Sequence, residues 1–348
     1  MIPGYLTSLI TREKALLRPP HHLALPNPSF MPVWLTGGIG DVVLSIDALK
    51  ILEQHAPVVL YSHHAKALRY FWDGSSRVFD GAPEYAWCLH FNSIARFYTS
   101  EAFSGFLDPK SAALFHRQRF LMMDDDDLSS VFHQHPNKDF LLALLADERG
   151  WNRREFPLRT LGFWEPLSDA YPRTTHSEKY ITIHDGYDAQ NNALASGRST
   201  KQWSWASWNK LVKELHVAYP DYKIIQLGAS TARPIDGVDK DLIGQTSITE
   251  AFDVIKHAAI HIDGDSGLVH AATRMGIPCV VMWGPTPMNF YSYPQNVNLH
   301  SGHCDNACYW LTPNWMDRCP IGYLAPKCMD EIRVERVMEG VARAFSIS

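Results

Sequence analysis

Apolar positions along the chain alternate between short unbroken runs and the three- and four-residue spacing of one helix face. Residues 32–36 form the first apolar run, which predicts a strand. Val42, Val43, Ile46, Leu49 and Leu52 then recur at helical spacing until Pro57, and residues 58–61 predict the next strand. Gly37-Gly38-Ile39-Gly40-Asp41 lies between the first strand and that helix. The opening therefore reads strand, glycine turn, helix, strand, the start of an α/β domain. Residues 1–30, rich in Pro and His, read as an irregular arm. The middle is poorly patterned, with a helical stretch over 140–145 and an irregular connection over 151–166.

A second α/β series begins at Lys179. Strands are predicted over 180–184, 223–228, 259–262 and 278–283, and helices over 205–219 and 266–275. Another helix opens at Ser247, where Glu250 three residues on completes a capping box. The run at 278–283 is almost continuously apolar, as strands buried on both faces of a parallel sheet are. A last helix, 334–345, has no strand after it. At 348 residues the chain exceeds what one core usually supports. Two Rossmann-like domains are expected, 1–172 and 173–348, the second carrying a cysteine-rich loop at 304–328 and the terminal helix.

Net charge of −5 disfavours a nucleic-acid surface without removing a local basic groove. The run Asp124-Asp125-Asp126-Asp127 reads as a solvated loop in preference to a metal site, because adjacent like charges repel and favour water. No stretch reaches the ~18 apolar residues of a membrane span, and no basic leader opens the chain, so a cytoplasmic location is expected, with peripheral membrane association left open. Six cysteines in a cytosolic chain predict reduced thiols. Four of them, Cys304, Cys308, Cys319 and Cys328, crowd into 25 positions, leaving two readings: a structural Zn or Fe held by four thiolates, or packed free thiols.

Three segments carry candidate chemistry. In Ile262-Asp263-Gly264-Asp265-Ser266-Gly267-Leu268-Val269-His270 a strand runs through a tight turn into a helix start. The first amides of a helix have no internal acceptor and carry the positive end of its dipole, which suits an anion. Gly267 permits close approach, and His270 lies one turn on from Ser266. The plainer alternative makes Asp265 an N-cap and His270 a core histidine. Ser199-Thr200-Lys201 precedes a helix and offers hydroxyls and an ammonium to a diphosphate, or a solvated loop. Gly37 to Gly40 resembles a dinucleotide turn, but Val43 occupies the place of its third glycine. Alternatively these glycines admit a substrate, with Asp41 at a helix start.

In this order and separation the segments resemble glycosyltransferase family nine, the ADP-heptose:lipopolysaccharide heptosyltransferase-like enzymes. The resemblance rests on Gly38-Ile39-Gly40-Asp41-Val42, Lys201-Gln202-Trp203 with Trp208, and Gly244-Gln245-Thr246-Ser247. It continues through Asp265-Ser266-Gly267-Leu268-Val269-His270, Gly276-Ile277-Pro278, Trp283-Gly284-Pro285-Thr286 and the Cys319 and Cys328 tail. It implies a GT-B architecture, two Rossmann-like domains with mainly parallel sheets facing a central cleft, and an inverting, metal-independent transfer from a nucleotide-diphospho-sugar to a hydroxyl acceptor, glycan or lipopolysaccharide. Asp41 would be the general base, with Gly38 and Gly40 in the acceptor-side loop. Ser199, Thr200, Lys201, Gly228, Thr246, Asp265, Ser266, Gly267, His270 and Thr286 would line the donor. ADP is the favoured nucleotide, although Ser230-Thr231-Ala232-Arg233 stands where the family often has an acidic residue. Rival readings keep the chemistry with a protein or modified-nucleobase acceptor, or make the chain a nicotinamide enzyme or a non-catalytic nucleotide-sugar-binding protein.

Overall fold

The computed structural model describes residues 29–85, 87–98, 107–133, 138–168, 171–174, 178–186, 198–304, 308–309, 311–312 and 314–346. The chain divides into two compact units, Met1–Phe132 with Arg154–Glu165, and His133–Arg153 with Pro166–Ser348. Among the described residues no helix is long and apolar enough to cross a membrane. The irregular arm expected at the N-terminus falls, up to residue 28, outside the described residues.

In the first unit β1 (Met31–Leu35) leads through the glycine turn into α1 (Ile39–Leu44) and α2 (Ile46–His55), then β2 (Val58–Ser62), α3 (Ala65–Phe71), β3 (Val78–Asp80), β4 (Cys88–Phe91) and β5 (Ala95–Tyr98). The sheet order is β3-β2-β1-β4-β5, parallel except for β5 at the edge. Every residue of β1 is buried, which explains its unbroken apolar run. The single helix read over 42–52 is broken at Ser45. Its hydroxyl donates to the Asp41 carbonyl at 2.7 Å, a back-bond of the kind that bends helices.

Two further helices follow, α4 (Pro109–Asp124) and α5 (Asp126–His133). Asp108 caps α4, accepting from the amides of Lys110 and Ser111, and Pro109 takes the first helical position, where no amide is needed. The acidic run falls at the junction of α4 and α5, not in an open loop: Asp125 Oδ1 accepts from the Leu128 amide at 2.9 Å and so starts the second helix. The connection read as irregular at 151–166 is well packed. Phe156, Leu158, Leu161 and Phe163 are buried around a single helical turn, Phe156–Arg159.

The second unit includes α6 (Lys138–Arg149), which extends the helical stretch read over 140–145. Its sheet elements are β6 (Tyr180–Ile183), β7 (Lys223–Gln226), β8 (Lys240–Asp241), β9 (Ile260–Gly264), β10 (Cys279–Trp283) and β11 (Val297–His300). With them come α7 (Trp205–Ala218), α8 (Ile248–Lys256), α9 (Gly267–Arg274) and α10 (Val334–Ser346). The sheet runs β11-β10-β9-β6-β7-β8, all parallel. Numbered from its first strand this is 6-5-4-1-2-3, the doubly wound Rossmann order. The capping box at Ser247 and Glu250 forms as predicted. The terminal helix α10 packs on the sheet through Val337 and Val341, joining a core with Trp203 and Trp208. At Gly340 an added Cβ would lie 3.1 Å from Val280 Cγ1, so the missing side chain lets helix and strand approach.

Candidate functional site

In a doubly wound sheet the strand order reverses between two neighbouring strands, and the crevice outside their carboxyl ends is the usual binding place. In the second unit those strands are β6 and β9. Their exits are His184-Asp185-Gly186 and Gly264-Asp265-Ser266, with Lys201 close by. Gly186 has φ +67°, and a Cβ there would sit 3.3 Å from the Gly264 Cα, so glycine lets the two exits close on each other.

Three carboxylates are buried here, Asp265, Asp263 and Asp185. Asp265, 7% exposed, pairs with Lys201, Nζ to Oδ2 2.7 Å. Burial alone would raise its pKa. The Lys201 ammonium and then His270 outweigh that and hold it below the ordinary carboxylate value. Lysine has three donors and Asp265 occupies one, so two remain for an anion. Asp263, fully buried, is the second. Burial again pushes upward, and His184 and His261 overcome it to bring the carboxyl down to about 2. His184 Nδ1 lies 3.0 Å from both carboxylate oxygens and His261 Nε2 3.2 Å from Oδ2.

Ser266 is the N-cap of α9. Its Oγ accepts from the Leu268 amide at 3.1 Å and donates to Asp263 Oδ2 at 2.5 Å. The hydroxyl expected to face a diphosphate is thus turned inward, and the Gly267 amide is left as a first-turn donor without an intrahelical acceptor. His270 is buried, its Nδ1 3.2 Å from the Tyr293 hydroxyl. Thr286 is buried with no hydrogen-bond partner for Oγ1 among the described residues, although it lies near enough to Asp265 to help lower that pKa.

The other residues of the predicted donor set have different surroundings. Ser199 Oγ accepts from the Lys201 amide at 3.3 Å. Thr200 faces the cysteine-rich loop, its Oγ1 donating to the Trp315 carbonyl and its amide to the Met316 carbonyl, both at 2.9 Å. Gly228 follows β7, its carbonyl accepting from the Gly244 amide at 2.9 Å. Thr246 is half-buried just before the α8 cap. The Arg233 guanidinium lies 4.9 Å over the Trp205 ring. Sequence reasoning passed over Asp263, His184, His261 and Gln202, whose Nε2 donates to the buried Asp185 at 3.2 Å. The available signal was ionisable residues set within the apolar strand Ile260-His261-Ile262-Asp263.

In the first unit the strand order reverses between β1 and β4. Here Asp41, half-buried on α1, accepts from the Gly38 amide at 2.9 Å, so its carboxylate also braces the glycine turn. Gly37, at φ +97°, has no room for a Cβ against Asp41, and Gly40 falls in the first turn of α1. Thr36, His90 and Asn92 form a half-buried trio at the same strand ends: Thr36 Oγ1 lies 2.6 Å from His90 Nε2 and accepts from Asn92 Nδ2 at 3.2 Å.

Cys304, Cys308, Cys319 and Cys328 are free thiols near enough to influence one another. Burial, then the neighbouring thiols, push Cys308 up to about 11 and Cys328 to about 12. Among the described residues no three metal-ligating side chains converge as a metal site.

Residues 191–309 match the family model for glycosyltransferase family 9 (heptosyltransferase). A lipooligosaccharide heptosyltransferase 2 of Campylobacter jejuni (strain 81116) is 32% identical over 104 residues, 30% of this chain and 31% of that protein. The match thus spans under a third of the relative's length. Among solved structures, the iron-containing dodecameric glycosyltransferase TibC from enterotoxigenic E. coli H10407 superposes with a TM-score of 0.54 at 14% identity. That alignment covers 94% of this chain and 78% of TibC. E. coli ADP-heptose lps heptosyltransferase II gives 0.50 at 12% identity, covering 91% and 99%. Identities this low speak to the fold alone, and the fold is the GT-B type, two Rossmann-like units. The chain therefore carries a glycosyltransferase family 9 (heptosyltransferase) region, residues 191–309, within a fold shared with heptosyltransferases along most of its length.

Proposed function

We propose that the protein is an inverting glycosyltransferase that moves a sugar, heptose by analogy with the named relatives, from a nucleotide-diphospho-sugar to a hydroxyl on a lipopolysaccharide-like glycan. The observation that carries this is the Lys201–Asp265 pair beside the α9 start, at the reversal point of the sheet and inside the family-matched region. Two spare ammonium donors, the Gly267 amide and the positive end of α9 together suit a diphosphate.

The chemistry follows from those groups. The acceptor hydroxyl attacks the anomeric carbon on the face opposite the diphosphate while Asp41 takes its proton as general base. The bond from anomeric carbon to diphosphate oxygen breaks, and its electron pair leaves with the nucleoside diphosphate. Lys201 and the helix start stabilise that charge, a task that asks for no metal ion. ADP is the favoured nucleotide, and a cytoplasmic location accompanies this reading.

The four cysteines suit a structural Zn or Fe in donor type, but their arrangement is not a closed ligand set, and the transfer uses no step there. TibC, which shares the fold, is described as iron-containing. A structural metal on these thiols is the second reading beside packed reduced thiols, and it would have to displace their protons. Purified protein with under ~0.2 equivalents of Zn and Fe would rule it out.

The reading is tested by incubating the protein with nucleotide-heptoses and a heptose-deficient lipopolysaccharide. Nucleoside diphosphate release that depends on the acceptor is expected. Tight nucleotide-sugar binding with no turnover on any glycan acceptor would make the chain a binding protein instead.

A further inference from the structure

The buried Asp263 has no part in the proposed transfer, yet it is hydrogen-bonded from three side chains. Three donors converge on it: His184 Nδ1, His261 Nε2 and Ser266 Oγ. Each histidine is anchored in turn. His261 Nδ1 lies 3.0 Å from Thr182 Oγ1, on the neighbouring strand. His184 Nε2 lies 4.0 Å from the buried Asp185, whose carboxylate also receives Gln202. An ionised carboxylate has no proton to give, so the Ser266 hydroxyl must spend its only proton there. Each imidazole can bond it only through a protonated ring nitrogen, a role that at His184 Nδ1 competes with the Gly186 amide donating to the same atom at 3.2 Å.

The Ser266 bond has a consequence for α9. With its proton committed to Asp263, the Ser266 oxygen can only accept, and it accepts from the Leu268 amide. The cap is therefore locked in one sense. An unlocked serine could turn its hydroxyl outward and leave the Leu268 amide unfilled, so that the first turn would fray.

We propose that Asp263 is the positioning residue of the diphosphate site: by taking the Ser266 proton it locks the cap of α9 and presents the first-turn amide of Gly267 to the diphosphate. The two histidines supply the compensation that lets an anion sit beneath an anion-binding turn. This inference rests on the donor reading of that turn. It assigns to Asp263 a role distinct from that of Asp265, which holds Lys201 through a direct ion pair.

Asp263→Asn is the sharpest substitution, because it keeps the shape and reverses half of the chemistry. The amide would face N–H groups with its own N–H, where the carboxylate accepted from all three donors. The measurement is titration calorimetry with ADP, UDP and GDP on wild type, Asp263→Asn, Ser266→Ala, Ser266→Thr and the double variant Asp263→Asn with Ser266→Ala. Each of Asp263→Asn and Ser266→Ala should weaken diphosphate binding about five- to tenfold, the scale of a lost cap. The double variant should be no weaker than Ser266→Ala alone, since Asp263 acts through that hydroxyl. Ser266→Thr, which keeps the hydroxyl, should bind within about twofold of wild type. A purely structural Asp263 would give losses that multiply in the double variant, and that result overturns the proposal. So does an Asp263→Asn protein that binds like wild type. Should Asp263→Asn fail to fold, Ser266→Ala decides: unchanged binding there also overturns it. Wild-type protein that binds none of the three nucleotides removes the donor reading itself, and this inference with it.

Discussion

The two sheets share a winding order and differ in what stands where that order reverses. In the second unit, β6 and β9 lead into three buried carboxylates, Asp185, Asp263 and Asp265, the last paired with Lys201 at the start of α9. In the first unit, β1 and β4 end in one half-buried carboxylate, Asp41, and a half-buried polar trio of Thr36, His90 and Asn92. Topology thus supplies the same crevice twice, and the residues at its rim decide the use. Buried, paired charges hold a fixed geometry suited to a strongly charged diphosphate, since little needs to reorganise when the ligand arrives. A half-exposed acid suits proton transfer with a polyhydroxyl partner, where the group must reach its substrate.

Substitutions on the two sides should separate these roles. The largest effect is expected from Asp41→Asn. Transfer should fall by about a hundred- to ten-thousandfold, the usual contribution of a general base, while nucleotide binding by calorimetry changes little. Undiminished transfer would remove Asp41 from the mechanism. Lys201→Met should come next. It strands Asp265 buried without its main cation, and removing one partner of a buried pair costs about 3–5 kcal/mol of unfolding free energy in denaturant titrations. The same variant should lose diphosphate affinity, in contrast to Asp41→Asn.

A smaller effect should appear with pH. Asp263 is depressed in the folded state, to about 2, below its unfolded value near 3.9. Its contribution is therefore present above the unfolded pKa and disappears as pH falls through the folded one. Wild-type stability should decline between about pH 4 and pH 2, and Asp263→Asn should show a shallower decline in the same acid melts. The smallest effect belongs to the cap of α8, where Ser247→Ala should cost about 1 kcal/mol of unfolding free energy in denaturant titrations.

Much of this arrangement could be read from residue order. The apolar runs at 32–36 and 278–283 announce the buried parallel strands found at 31–35 and 279–283, and Ser247 with Glu250 announces a helix start. The turn at Asp265, Ser266 and Gly267 was legible because a strand running into a helix start can be read from local sequence, and that order of elements forms. What escaped was set by distance. The Lys201–Asp265 bond spans 64 residues and the His184–Asp263 bond 79, so neither is visible in any window of sequence. The strands β4 and β5 were missed for a related reason: only four residues each, they are defined by pairing with β1 and with each other. The break at Ser45 and the cap at Asp125 were overlooked because a polar side chain bonding its own backbone leaves hydrophobic periodicity unchanged.

The account depends on a diphosphate, and no other part of a nucleotide, being what the α9 start and Lys201 recognise. Titration of wild-type protein with ADP, UDP and GDP, each beside its free nucleoside, tests that directly. One diphosphate should bind at least tenfold more tightly than its nucleoside, with the advantage lost in Lys201→Met. Equal affinity for diphosphate and nucleoside, or a preference that survives Lys201→Met, would contradict it.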